Sequence, residues 1–227
     1  MELKKYQAQV GTVEDLQKRK ELCSILTNLE CMNPHPAFPA IFRRLSERLD
    51  SLAQPFSGEV FRFIDPRFST VDDQFSGKGS LFADGRWSLH RNGHCVAYTS
   101  LQAETAFAEA LAAVRYYGFP DSKAAPLVFV TAGIDLKRVV DLREGKVRQQ
   151  LRISKAVICE TDWRTENYHL HESLTQAWGR ALVETGPEAV VVPSAAWGKG
   201  SNLVAFPANF RKKSCFSVIQ EIDWPHP

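Results

Sequence analysis

The spacing of short apolar segments is the feature that most constrains the fold of this chain. Runs of four to nine residues predict strands, and two longer amphipathic segments predict helices. The predicted strands are residues 60–64, 86–91, 95–98, 126–132, 134–142, 189–193 and 202–207, and the predicted helices are residues 101–117 and 174–185. The order β, ββ, α, β, β, α, β, β is typical of an α+β fold with a mixed or antiparallel sheet core and flanking helices.

A hairpin is predicted between Gly85 and Ser100. Asn92-Gly93 is a strong turn signal, because a type I′ turn needs positive φ at both central residues. Arg86 stands at the entry of this hairpin and Tyr98 near its end, and a predicted helix follows directly. We therefore expect the hairpin to form one wall of a cleft.

The N-terminal part of the chain differs from the rest in its pattern, because its apolar residues follow a helical spacing. Residues 12–29 and 41–49 have amphipathic helical spacing, and Asn33-Pro34-His35-Pro36 separates the two segments. This predicts an N-terminal helical extension over residues 1–57 and a main domain over residues 58–227.

Composition narrows the function classes. The chain has 227 residues with a formal net charge of only +2, so a clustered basic face for direct nucleic-acid binding is not expected. Five cysteines without a C-x-x-C pair are typical of a reducing compartment. The N-terminus is polar, and no apolar run approaches the roughly 18 residues of a membrane helix. A cytoplasmic protein without a membrane segment is predicted.

Two glycine-rich segments suggest phosphate-binding loops. SGKGS at residues 76–80 and WGKGS at residues 197–201 both lack the leading glycine of G-x-x-x-x-G-K-[ST]. Flexible turns are the simpler interpretation. Backbone N–H groups beside a pocket can still bind phosphate, so that milder role stays open.

Metal and serine-hydrolase sites are not predicted. His90 and His94 are separated by the Asn92-Gly93 turn, and His169 and His171, which would share one face of a strand, have no evident third ligand. The chain also lacks a G-x-S-x-G nucleophile elbow. Ser194 directly follows a predicted buried strand, where it can line a site or simply form a turn.

Glu109 is the most informative carboxylate. It lies with Ala106, Ala110 and Ala113 on the small-residue face of the predicted helix, the face expected to pack against the sheet. A buried carboxylate needs a partner. Glu109 therefore either forms a salt bridge with Arg86 or Arg62, or lies at a pocket for a cationic or electron-poor substrate.

Arg62 and Arg86 are unusual in their surroundings. Arg62 is the single charge in a five-residue hydrophobic strand, and Arg86 lies between a glycine and a tryptophan. Guanidinium groups suit phosphates. Together with Glu109 and Tyr98, they would fit a dinucleotide with a scissile glycosidic bond.

An ordered set of motifs over roughly residues 58–210 resembles the RES domain, the toxin half of bacterial RES–Xre toxin–antitoxin modules. The motifs are Phe61-Arg62-Phe63, Gly85-Arg86-Trp87, Ala97-Tyr98-Thr99-Ser100, Ala108-Glu109, Val192-Pro193-Ser194-Ala195 and Asn202-Leu203-Val204-Ala205-Phe206-Pro207. Two features depart from the family pattern: Ser88 stands where asparagine is usual, and the first fifty or so residues lie outside the common domain.

The resemblance implies an ADP-ribosyltransferase-like fold that binds NAD+ as a substrate and cleaves its nicotinamide–ribose bond without a metal or other cofactor. The arginine, glutamate and serine for which the family is named would be the catalytic residues. They are assigned to Arg86 (or Arg62), Glu109 and Ser194, while Arg62, Tyr98 and Asn202 would bind the substrate.

The resemblance also implies a partner, an Xre-type helix-turn-helix antitoxin that blocks the pocket. The ADP-ribose acceptor would be phosphate or water. A protein acceptor is the alternative, although Glu104, the extra acidic residue that it would call for, lies on a different helix face from Glu109. A non-catalytic nucleotide- or partner-binding module and a homo-oligomer stay open.

Overall fold

Six strands and seven α-helices make up the described part of the chain. The computed structural model describes residues 32–67 and 70–224. The strands are β1 Ala53–Ile64, β2 Ala97–Ser100, β3 Leu127–Asp141, β4 Ala189–Pro193, β5 Ser201–Ala205 and β6 Cys215–Trp224. The helices are α1 Phe38–Leu52, α2 Val71–Phe75, α3 Ala103–Tyr116, α4 Gly145–Leu151, α5 Lys155–Glu160, α6 Trp163–Tyr168 and α7 Leu174–Thr185.

Five of the strands close into a barrel. They are hydrogen-bonded in the order β1-β2-β5-β4-β3, and β3 also pairs with β1. Strand β6 extends the sheet along β3, and β3–β4 is the single parallel pair among the described strands. The predicted combination of helices with a mixed sheet is confirmed.

The long strand β3 replaces two predicted strands. Residues 126–132 and 134–142 were expected to be separate, but β3 runs unbroken and pairs with β1 from Ala53↔Val140 to Ile64↔Val128. The polar residues Asp135 and Lys137 are exposed, whereas Leu136 between them is buried. These interruptions thus keep the period of two that a strand requires.

The predicted hairpin between Gly85 and Ser100 is wrong. Residues 90–92 form a 3₁₀ turn that ends at Gly93 with φ 68°. The bulky residues that resembled one face of a strand, Trp87 and Leu89, are only 3% and 4% exposed. Burial of these side chains holds the segment in a series of turns, and the strand β2 begins only at Ala97.

Four short helices and the last strand were not predicted. Helices α2, α4, α5 and α6 have only five, seven, six and six residues, too few to show a helical period clearly. Strand β6 pairs only with β3 and is half exposed, so its apolar pattern is weak. His169 and His171 do not lie on a strand, because α6 ends at Tyr168 and Leu170 adopts φ 59°.

Helix α1 packs into the main core. Its buried residues Ile41, Leu45 and Leu49 belong to the same hydrophobic cluster as Trp178 and Leu182 of α7. The predicted boundary between residues 57 and 58 falls within β1. The predicted helical segment 12–29 lies outside the described residues. None of the described helices has the length and apolar character to cross a membrane.

Candidate active site

A cleft of about 510 Å³ brings together five of the six residues assigned from the sequence. Its lining includes Arg62 of β1, Arg86 of the loop before β2, Tyr98 of β2, Glu109 of α3 and Asn202 of β5. The sixth residue, Ser194, is only 2% exposed and lies behind this surface. Residues distant in sequence meet here because β1, β2 and β5 are neighbours in the barrel.

Glu109 is held by two neutral donors. Ser194 Oγ donates to Glu109 Oε1 at 2.6 Å, and Asn202 Nδ2 donates to the same oxygen at 2.5 Å. The alternative of a salt bridge with Arg86 or Arg62 is wrong, because none of the ion pairs formed within residues 32–67 and 70–224 includes Glu109. The carboxylate therefore has a fixed orientation beside the cleft and forms no ion pair with a described residue.

Asn202 owes its orientation to the pairing of β2 with β5. Ser100 and Asn202 are directly opposite in this register, and Ser100 Oγ donates to Asn202 Oδ1 at 2.8 Å. This bond occupies the amide oxygen, so the amide nitrogen is the group that faces Glu109.

Ser194 joins Glu109 to the turn between β4 and β5. Its Oγ accepts hydrogen bonds from the backbone N–H groups of Trp197 at 2.9 Å and Ala196 at 3.2 Å. Its own N–H donates to Gly200 O at 3.0 Å. The hydroxyl is buried, donates to the Glu109 carboxylate and does not line the cleft. The WGKGS segment thus forms the turn that holds this serine.

Tyr98 is fixed by the loop that precedes it. Its hydroxyl accepts a hydrogen bond from Trp87 N at 3.0 Å and lies 2.9 Å from Ser88 Oγ. A side chain at Gly85 would place Cβ 2.5 Å from this hydroxyl, so the close approach requires glycine. Burial raises the pKa of Tyr98 to about 12, so the phenol is neutral and its ring offers an apolar surface to the cleft.

Arg86 is anchored at the end of α5. Its NH1 donates to Thr161 O at 2.8 Å and Ile158 O at 3.3 Å. Burial lowers the pKa of Arg86 from its usual value, while the nearby Glu109 charge raises it. In the described part of the chain, both hydrogen bonds of this side chain come from NH1, which leaves NH2 and Nε available to a ligand.

Arg62 is more enclosed than Arg86. Its NH1 donates to Gln74 O, its Nε is buried without a partner among the described residues, and the Phe75 ring lies 5.8 Å from its guanidinium carbon. Burial lowers the pKa of Arg62 to about 10. Arg62 lines the cleft, but its Nε atom is enclosed by protein and is not exposed to the cleft.

Several lining residues were missed by sequence reasoning. They include Trp163 and Arg164 at the start of α6. Gly77, Gly79 and Ser80 also line the cleft, and they belong to the SGKGS segment, for which a place beside a pocket was left open. Helix α6 is too short to be predicted from periodicity, so nothing in the sequence indicated that it reaches the cleft. In residues 32–67 and 70–224, no group of three or more His, Cys, Asp or Glu side chains is arranged to hold a metal ion.

The fold and the cleft define a class: a closed five-stranded barrel with flanking helices and a carboxylate of α3 that is oriented by Ser194, directly after β4, and by Asn202 of β5. The family model of the RES domain matches residues 59–225. The chain therefore belongs to the RES domain family, as the motifs predicted.

One solved structure with a similar fold is a chain of the M. tuberculosis MbcT–MbcA toxin–antitoxin complex, a crystal structure. The similarity has a TM-score of 0.62 at 19% sequence identity and covers 81% of this chain and 93% of that chain. A search of curated proteins found no match.

Proposed function

We propose that this chain is the toxin of a type II toxin–antitoxin system and that it degrades NAD+ by cleaving the nicotinamide–ribose bond. The observation that carries the proposal is the Glu109 carboxylate, which Ser194 and Asn202 fix at a cleft that also contains Arg86 and Tyr98. Membership of the RES family and a fold shared with a chain of a toxin–antitoxin complex support it.

The charge of Glu109 suits this reaction. As the bond between ribose C1′ and the nicotinamide nitrogen breaks, its electron pair leaves with nicotinamide, and the ribose becomes an oxocarbenium-like cation. A carboxylate that is already oriented stabilises this cation without reorganising. Both hydrogen bonds that Glu109 accepts from described residues go to Oε1, so Oε2 can face the ribose.

The other cleft residues would hold the substrate. Arg86 offers unused guanidinium donors to phosphate oxygens, and Arg62 on the cleft lining adds positive charge beside them. The neutral ring of Tyr98 would stack on nicotinamide, and Asn202 would keep the carboxylate aligned. In this assignment Ser194 is a positioning residue, since it does not line the cleft. The proposal includes an ADP-ribosyltransferase-like arrangement and calls for no metal or further cofactor.

A small ADP-ribose acceptor fits the cleft better than a protein side chain. The acidic residue considered for protein modification, Glu104, is exposed in the first turn of α3 and does not line the cleft. Phosphate or water would attack C1′ and lose its proton to solvent as the new C–O bond forms. We further propose an Xre-type helix-turn-helix antitoxin that covers the cleft, and a cytoplasmic site of action, where NAD+ is found.

The experiment is a proton NMR time course of the purified protein with NAD+, run with and without inorganic phosphate. Release of nicotinamide with a phosphate-dependent product would identify a phosphorylase, and release at the same rate without phosphate would identify a glycohydrolase. If no nicotinamide is released under either condition, the proposed reaction is wrong.

A further inference from the structure

Arg164 is the third arginine on the lining of the cleft, after Arg62 and Arg86. It lies near the start of α6 and lines the cleft together with its neighbour Trp163. Its guanidinium carbon is 4.3 Å from the centroid of the Trp163 ring and 4.7 Å from that of the Tyr116 ring. Contact with two aromatic rings restrains the guanidinium and leaves its N–H groups pointing outward around its edge.

No acidic side chain neutralises this cation in the described part of the chain. The ion pairs there do not include Arg164, and its guanidinium donates no hydrogen bond to a described residue. The adjacent acid, Asp162, is occupied: it accepts from Thr165 Oγ1 at 2.7 Å and from Tyr116 OH at 3.3 Å. The donors of Arg164 are therefore available to a ligand.

Arg86 and Arg164 are attached to the same short segment. Arg86 NH1 donates to Thr161 O at 2.8 Å, and Arg164 follows three residues later. Both side chains line the one cleft. The positive charge of Arg164 contributes to lowering the pKa of Arg86, so the two guanidinium groups are close enough to repel each other. Two restrained cations at one wall match a ligand with two adjacent negative charges.

We infer that Arg164 and Arg86 together bind the diphosphate of a nucleoside-diphosphate substrate, with Tyr116 and Trp163 holding Arg164 in position. This inference rests on the proposed function and adds to it the residues that select a substrate with a diphosphate over one with a single phosphate. A diphosphate carries about one negative charge per phosphate, and each planar guanidinium can bind one phosphate through two N–H donors. Arg62 is enclosed on β1 and already donates to Gln74, so Arg164 is better placed as the second diphosphate ligand.

The test uses the full chain and ADP-ribose, which contains the diphosphate but no scissile nicotinamide bond. Isothermal calorimetry would compare the wild type with Arg164→Ala and with Arg115→Ala as a matched control. Arg115 is on α3, is paired with Asp121 at 2.8 Å and does not line the cleft. We expect Arg164→Ala to weaken ADP-ribose binding about tenfold or more, the loss of one charge-assisted contact, and Arg115→Ala to leave it unchanged.

Kinetics and conservative variants separate a binding role from a structural one. Arg164→Ala should raise KM for NAD+ about tenfold and leave kcat within about threefold, because the diphosphate is remote from the bond that breaks. Tyr116→Ala, which removes one of the two rings that contact Arg164, should raise KM severalfold. Arg164→Lys keeps the charge but not the planar fork, and should retain only part of the affinity.

Unchanged ADP-ribose affinity in Arg164→Ala would overturn the inference, as would a lower kcat at constant KM. The proposed function fails separately: a wild type that binds ADP-ribose but releases no nicotinamide from NAD+ refutes the reaction and leaves the affinity comparison valid. A wild type that releases nicotinamide but does not bind ADP-ribose refutes the inference alone. If the wild type neither binds ADP-ribose nor releases nicotinamide, both are wrong.

Discussion

Replacing Ser194 with alanine tests whether this serine acts through Glu109. The change removes the 2.6 Å bond from Ser194 Oγ to Glu109 Oε1, while the bond from Asn202 to the same oxygen remains. A hydrogen bond to a charged group contributes roughly 1.5–3 kcal/mol. If this orientation matters mainly in the transition state, kcat should fall about 10- to 100-fold. KM should stay within about twofold, because Ser194 is 2% exposed and does not line the cleft.

The variant also loses the acceptor for the N–H groups of Trp197 and Ala196, so its stability should fall by about 1–3 kcal/mol. Ser173→Ala is the matched control, because Ser173 is equally buried, caps α7 and does not line the cleft. The assay is steady-state nicotinamide release from NAD+ at 25 °C, with thermal unfolding recorded for both variants. A raised KM with normal kcat in Ser194→Ala would refute the reasoning, since it would place the hydroxyl on the substrate.

Two further predictions concern stability. The pKa of Tyr98 is about 12 in the fold against about 10 in an unfolded chain, so the unfolded state loses its proton first and the free energy of unfolding should fall as pH rises from about 10 to 12. Urea unfolding over this range should show a smaller fall in Tyr98→Phe, and equal falls in both proteins would contradict the assignment. Deleting residues 1–50 should abolish cooperative thermal unfolding, because it removes Ile41, Leu45 and Leu49, each contributing roughly 1.5–3 kcal/mol, from a common core with α7. A truncated protein with a sharp transition by calorimetry would show that α1 is dispensable.

Much of the fold could be predicted where periodicity is long and regular. Helix α7 matches its predicted bounds because Ser173 and Gln176 form a capping box at its start and Gly186 ends it at φ 90°. The region from 86 to 96 could not be predicted correctly, since its alternating apolar residues are buried by tertiary contacts with α7. A side chain at Gly179 would place Cβ only 1.8 Å from Trp87 O, so this approach depends on a glycine more than ninety residues away.

The candidate site, like the fold, could be predicted from the sequence only in part. Glu109 carried a recognisable signal, a carboxylate on a small-residue face, and Asn202 was assigned through the family resemblance. The structure brings the two side chains within 2.5 Å. The pairing of Glu109 with neutral donors instead of arginine depends on the β2–β5 register, which the sequence does not specify. Nothing in the sequence indicates that Arg164 reaches the cleft, because it lies on a six-residue helix and is placed by its contact with the Tyr116 ring.

The most direct test of the account is the rate of nicotinamide release at saturating NAD+ for the wild type and for Glu109→Gln. Glutamine keeps the shape of the side chain and can be reoriented by Ser194 and Asn202, but it lacks the negative charge that would stabilise the ribose cation. The account predicts release by the wild type and a fall of about 100-fold or more in the variant, with NAD+ binding retained. A variant that is as fast as the wild type would contradict the central role of this carboxylate.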